Sequence, residues 1–334
     1  MKCINKKRKK TLFLILGAVI LFLLIALGII LFYNSKNFKD EYPYNKSTQA
    51  FRTSAKENIL VAPGLSINLC VGEDFTKMEG VQTTSNEMAG FFSLRDGTIP
   101  FSNHLYEKVE SGKTTQLMTA LLAIENLNLE EDAVIEAEDK VYGKNARSCG
   151  LQEGYRVTIK QLLTAVLVSS AEDACQTLAR LTSGSQEDFI VLMNKKAAEL
   201  GMTNTNYTNV TGYSSDQQYT TIYDIYLLLN EFLKHPDLLN SMSLTDYTMN
   251  YITGKGELKQ YRLDNDNPFM TGKITVPKNV TVLGGKVFTS KSTNYAALLT
   301  QNKYGEFYIS IVFSAETEGA LMERLSEMFV QINN

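Results

Sequence analysis

From Leu12 to Tyr33 the chain runs through 22 positions without one charged side chain. As a helix rising about 1.5 Å per residue, that run is roughly 33 Å long, enough to cross a hydrocarbon core of about 30 Å. It predicts one transmembrane helix over residues 12–33. Residues 34–80 form a polar, mixed stretch that reads as a stalk or extension, with a short apolar segment, Ile59 to Val71, able to pack on the domain beyond it. Met88 to Leu105 alternates and turns at Asp96-Gly97, the pattern of a β-hairpin. Thr114 to Leu127 is apolar on nearly every face and predicts a buried central helix. Ile159 to Val168 and Glu172 to Leu181 read as two helices broken at Ser169-Ser170-Ala171. Ser185 with Asp188 starts a further helix through Leu200, which Gly201 closes. Thr221 to Leu233 predicts a helix stopped near Pro236. Tyr295 to Gln301 and Phe307 to Ser314 predict two strands, and Glu318 to Ile332 a closing amphipathic helix. Strands first, helices in the middle, then strands and a helix describe an α+β domain over residues 81–334, an antiparallel sheet with segregated helices.

Charge assigns the topology. Lys2, Lys6, Lys7, Arg8, Lys9 and Lys10 crowd the segment 1–11 before the apolar run. Basic flanks stay cytoplasmic, so the domain lies outside the cell membrane. A cleaved signal peptide has an apolar region of only about 7–15 residues. This run is longer, and Phe32 to Lys39 offers no small-residue cut site, so an uncleaved anchor is expected. The net charge of −3 supplies no basic face for nucleic acid. Of the four cysteines, Cys3 is cytoplasmic by this topology. Cys70, Cys149 and Cys175 are an odd number without metal-ligand spacing, which favours buried thiols while leaving one bridge open. His104 and His235 read as surface residues, and Glu130 to Asp132 as a solvated loop or helix end. No metal or cofactor is called for.

Four stretches carry a family resemblance. They are YEKVESGKTTQLMTALLAIE (106–125), SCGLQEGYRVTIKQLLTAVLVSSAEDACQTLA (148–179), MNKKAAELGMTNTNY (193–207) with Gly212 and YTTIYD (219–224), and VLGGKVFTSKSTNYAALLTQNKYGEFYISIVFSA (282–315). In this order and spacing they resemble serine-type D-alanyl-D-alanine carboxypeptidases, the low-molecular-mass penicillin-binding proteins, from about residue 87 to the end. The resemblance implies a beta-lactamase/transpeptidase-like fold, an antiparallel sheet flanked by helices plus an all-helical subdomain, in a bacterium that builds a cell wall.

The resemblance also implies a mechanism. A serine opens a buried helix, and a lysine three residues on, sharing its helix face, is the base. A Ser-x-Asn borders the cleft, and a Lys-Thr-Gly strand supplies a lysine for the substrate carboxylate. Each motif departs here. Lys113 stands at the nucleophile position and Gln116 at that of the base. Ser-x-Asn reads Ser170-Ala171-Glu172, and Lys-Thr-Gly reads Lys286-Val287-Phe288. No Ser-x-x-Lys occurs anywhere in the chain. Ser111 has only Thr114 and Thr115 at i+3 and i+4, and Thr53-x-x-Lys56 falls in the stalk. Ser170 and Lys286 survive as candidate substrate-binding residues. Lys113, Glu172 and Lys286 are expected to converge, a carboxylate between two ammonium groups, with Phe288 filling space that glycine leaves open.

These departures favour a membrane-anchored pseudoenzyme with a binding or regulatory role in peptidoglycan metabolism. Its partner is a stem peptide or a cell-wall enzyme, and the membrane is engaged through the N-terminal helix. Two alternatives stay open: an active carboxypeptidase trimming stem peptides, and a structural or assembly protein of the envelope.

Overall fold

Alternating side chains build the main sheet. In the computed structural model, which describes residues 69–141 and 146–333, strand β1 (Met88–Ser93) and strand β2 (Thr98–Asn103) form the expected hairpin, with Phe91 opposite Phe101. Gly97 sits in the turn at a φ of +65°, a conformation glycine adopts without Cβ strain, and Ser93 Oγ donates to Asp96. Strands β7 (Val280–Thr289), β8 (Asn294–Asn302) and β9 (Phe307–Phe313) complete an antiparallel sheet in the order β2-β1-β9-β8-β7. Along β9 the two-residue period divides the core. Tyr308 and Val312 face the C-terminal helix Glu318–Gln331, whose Leu321, Leu325 and Met328 are buried, while Ile309, Ile311 and Phe313 face the helical layer. The predicted span 12–33, the basic segment 1–11, Thr53-x-x-Lys56 and the stalk up to residue 68 lie outside the described residues.

The helical layer begins with α1 (Thr115–Asn126), buried continuously from Thr115 to Ala123 as its all-round apolar pattern requires. Helix α2 (Ile159–Ser169) starts on a reciprocal cap: Thr158 Oγ1 accepts from the Gln161 amide, and the Gln161 side chain accepts from the Thr158 amide. It stops at Ser170 in the left-handed conformation. Helix α3 (Glu172–Ser183) ends on left-handed Gly184, and α4 (Gln186–Glu199) starts on Ser185, whose Oγ accepts from the Asp188 amide. Helix α5 (Ile222–Phe232) stops as expected, but Pro236 does more than end it. Its missing N–H and fixed φ suit a first helical position, and it opens α6 (Pro236–Met242), with α7 then the C-terminal helix Glu318–Gln331.

The expectation of an all-helical subdomain is corrected. Strands β3 (Asp132–Val134), β4 (Arg156–Thr158), β5 (Asp246–Ile252) and β6 (Leu258–Asp264) form a second antiparallel sheet in that order. The alternating apolar signal is nearly absent from it. On β5 only Met249 is buried and on β6 only Leu263, while β3 and β4 are three residues each.

Residues 69–80 lie against the domain. The Cys70 amide donates to Tyr226 Oη at 2.7 Å, Tyr223 Oη donates to the Cys70 carbonyl at 2.9 Å, and Thr76 bridges to Ser102. Cys70, Cys149 and Cys175 are all buried and all free.

Candidate functional site

A single 3-10 turn, Gly112–Thr114, delivers Lys113 to the start of α1. The turn is forced by close approaches. Gly112 has a φ of +48°, and a Cβ there would lie 2.1 Å from Tyr295 Oη; a Cβ on Gly212 would lie 2.0 Å from the Gly112 carbonyl oxygen. The Lys113 amide donates to Tyr295 Oη at 2.5 Å. Strand β8 thus fixes the backbone of Lys113.

Lys113 Nζ donates to Glu172 Oε1, and the side chains are only 11% and 10% exposed. Glu172 is the first residue of α3, where the helix N-terminus favours a carboxylate, and its own amide donates to the Arg147 carbonyl at 2.8 Å. The predicted Lys113–Glu172 pair is present.

The third member of the expected triad lies near enough to feel the charge of Lys113, but it does not pair with Glu172. Lys286, only 3% exposed, donates from Nζ to the Val166 carbonyl oxygen and to Ser170 Oγ at 3.1 Å. Strand β7 carries it to the end of α2, whereas Glu172 faces Lys113, so no carboxylate sits between two ammonium groups. Burial pulls the Lys286 amine down to about 8, aided by the positive charges of Lys113 and Arg147 and opposed by Asp266 and Cys175. Arg147 and Asp266 form their own ion pair beside it.

Gln116, wholly buried, donates from Nε2 to the carbonyls of Ser170 at 3.3 Å and Thr211 at 3.1 Å, and its Oε1 finds no partner. An amide at this position cannot take a proton from a hydroxyl. Ser111 fares no better. Its Oγ bonds Thr115 Oγ1 at 2.8 Å, which accepts from Gln218 Nε2 at 3.2 Å, a chain of neutral groups without a base. Phe288 stacks on Tyr295 at 5.4 Å, and Tyr295 on Phe313 at 4.7 Å. This aromatic column ends at the Lys113 amide through Tyr295 Oη.

Tyr295, Gly112 and Arg147 were invisible as site residues, because no spacing rule links them to Lys113 or Glu172. Gly212 was visible only through the resemblance. The two histidines also depart from expectation. Both are half-buried beside carboxylates distant or offset in sequence: His104 Nδ1 meets Glu107 Oε1 at 2.6 Å, and His235 Nε2 lies 3.8 Å from Glu125 Oε1.

The D-alanyl-D-alanine carboxypeptidase family profile matches residues 86–317. The chain is 31% identical over 187 residues to the D-alanyl-D-alanine carboxypeptidase DacF of Bacillus subtilis, covering 53% of this chain and 46% of that protein. It is 29% identical over 226 residues to DacC of Escherichia coli, covering 64% and 52%. The chain therefore spans about half the length of these curated relatives. Among solved structures it is similar to the Streptomyces K15 DD-transpeptidase, with a TM-score of 0.67 at 22% identity over 74% of this chain and 97% of the other. That likeness places the fold among penicillin-binding proteins, with antiparallel sheets and helices. The profile match, over more than half of the chain, shows that this protein belongs to the D-alanyl-D-alanine carboxypeptidase family.

Proposed function

We propose that this protein is a pseudoenzyme of its family, acting by binding rather than by acyl-serine turnover in peptidoglycan metabolism. The observation that carries the reading is the Lys113–Glu172 ion pair at the head of α1, with Gln116 in the base position. Acylation needs a nucleophile that yields a labile ester and a base that can accept its proton. A lysine amine held as an ion pair offers no free lone pair, and an acylated lysine would be a stable amide. Ser170 and Lys286, the surviving members, are each 3% exposed and bonded to one another. Their role in this reading is to hold the end of α2 and the edge of β7 together, and any substrate-binding part they play is secondary.

The proposed setting is the outer face of a cell membrane, with residues 12–33 as anchor and the basic segment 1–11 inside. The proposed partner is a peptidoglycan stem peptide or an active cell-wall enzyme. The Lys113–Glu172 pair at the head of α1 leaves neither charge free for a stem peptide, which favours the enzyme as partner. The test is release of D-alanine from a peptide ending in D-Ala-D-Ala, followed at stoichiometric protein to capture even single turnovers. The reading expects no release above buffer; turnover lost in Ser170→Ala would refute it.

A further inference from the structure

At the far end of α1 from Lys113, three metal-binding side chains from two parts of the chain meet. Glu125 lies at the end of α1; Glu231 lies in the last turn of α5, and His235 four residues later caps α6. One ligand atom from each falls within 4.8 Å of the others, the one such group among the described residues. We propose that Glu125, Glu231 and His235 form a divalent-metal site, suited to Zn2+, that clips the end of α1 to the α5–α6 junction.

The geometry favours a cation over a hydrogen bond. His235 Nε2 stands 3.8 Å from Glu125 Oε1, too far to share a proton. Tetrahedral Zn2+ with ligand bonds of about 2.0–2.2 Å sets neighbouring ligands roughly 3.3–3.6 Å apart, so a small side-chain rotation closes the site. One imidazole and two carboxylates are a ligand set that Zn2+ accepts, with water in the fourth position.

The surroundings already orient the carboxylates. Lys196 Nζ holds Glu125 Oε2 at 2.6 Å, and Lys234 Nζ holds Glu231 Oε2 at 2.6 Å. Each carboxylate keeps its other oxygen for the metal, and the lysines then act as outer partners that fix the ligand planes. The His235 backbone is held, its amide donating to the Phe232 carbonyl at 2.9 Å and its carbonyl accepting from the Leu238 amide at 3.0 Å, which leaves the imidazole free to turn toward the metal. The three ligands are partly exposed, so an ion reaches them without unfolding. Helix α6 in turn packs Met242 against Gly284 of β7, two residues before Lys286. The clip would therefore brace both the helix that begins after Lys113 and the strand that carries Lys286.

Isothermal titration of the untagged full chain with ZnCl2, beside His235→Gln and Glu231→Gln, tests this. The expected result is one Zn2+ per chain, with affinity at least tenfold weaker in each variant and apo melting temperatures close to wild type. Substitution with Co2+ should give the weak visible bands of a nitrogen–oxygen site. Absent binding, unchanged affinity in both variants, or a thiolate-to-cobalt charge-transfer band from the cysteines would each overturn the assignment. If one variant melts early, the other and the cobalt spectrum still decide.

Discussion

Replacing Glu172 by glutamine should destabilise the protein more than replacing its partner Lys113 by methionine. The two side chains are 11% and 10% exposed, so solvent screens them little. A contact pair at an effective dielectric near 20 gains about 4 kcal/mol, and stranding one member of a buried pair costs about 3–5 kcal/mol. Glu172→Gln strands the Lys113 ammonium, and the nearby charge of Lys286 adds repulsion. The expected loss is about 4 kcal/mol. Lys113→Met strands a carboxylate instead, but Glu172 opens α3, and the helix N-terminus returns about 1 kcal/mol. The expected loss there is about 2–3 kcal/mol. The double variant leaves no stranded charge and should lose less than either, so the coupling between the sites should exceed about 4 kcal/mol. Urea unfolding of the four proteins, followed by circular dichroism at matched salt, measures all of these quantities. If each single change cost less than about 0.5 kcal/mol, with no coupling, the pair would behave as an exposed one and the argument for a closed, self-satisfied site would fail.

The same structure sets three further outcomes. Lys286 titrates near 8 when folded, against an ordinary value near 10.5. The folded state therefore binds fewer protons than the unfolded state between those values. The penalty for burying its charge, about 3 kcal/mol, is fully present below pH 8 and fades as pH rises toward 10.5. Wild type should thus gain stability relative to Lys286→Met across that window; a flat difference curve would show that the amine is not charged and buried as described. Gly112→Ala should lose about 3 kcal/mol or more, since a Cβ would strike Tyr295 Oη at a φ of +48°. Gly184→Ala, with open space around it, should lose only about 1 kcal/mol from its left-handed backbone. Equal losses in thermal melts of the two would remove the tight seat of the Lys113 turn. Tyr295→Phe should cost about 1 kcal/mol, the worth of its bond to the Lys113 amide, and its failure to do so in urea unfolding would leave that turn held by packing alone.

Much of this fold and site is legible in the sequence. The β1–β2 hairpin announced itself through Asp96-Gly97, α1 through its all-round apolar run, and α4 through the Ser185–Asp188 start. The Lys113–Glu172 pair was legible too, because an ordered set of motifs placed both residues at one cleft. What stayed hidden was set by tertiary contact. The second sheet lacked an alternating signal because β6 is exposed at every position but Leu263. Lys286 was expected to share Glu172, yet it reaches the end of α2, since strand register and not charge attraction aims its side chain. His235 looked like a surface residue because its carboxylate neighbour Glu125 is on another helix.

Loss of acyl-serine chemistry means that a penicillin should leave this chain unlabelled. The purified chain would be incubated with a fluorescent penicillin and its intact mass measured, with an active relative labelled alongside. The expected result is no adduct on this chain while the relative is labelled fully. An adduct mapped to Ser111 or Ser170 would show that a displaced serine has taken over, and would contradict it.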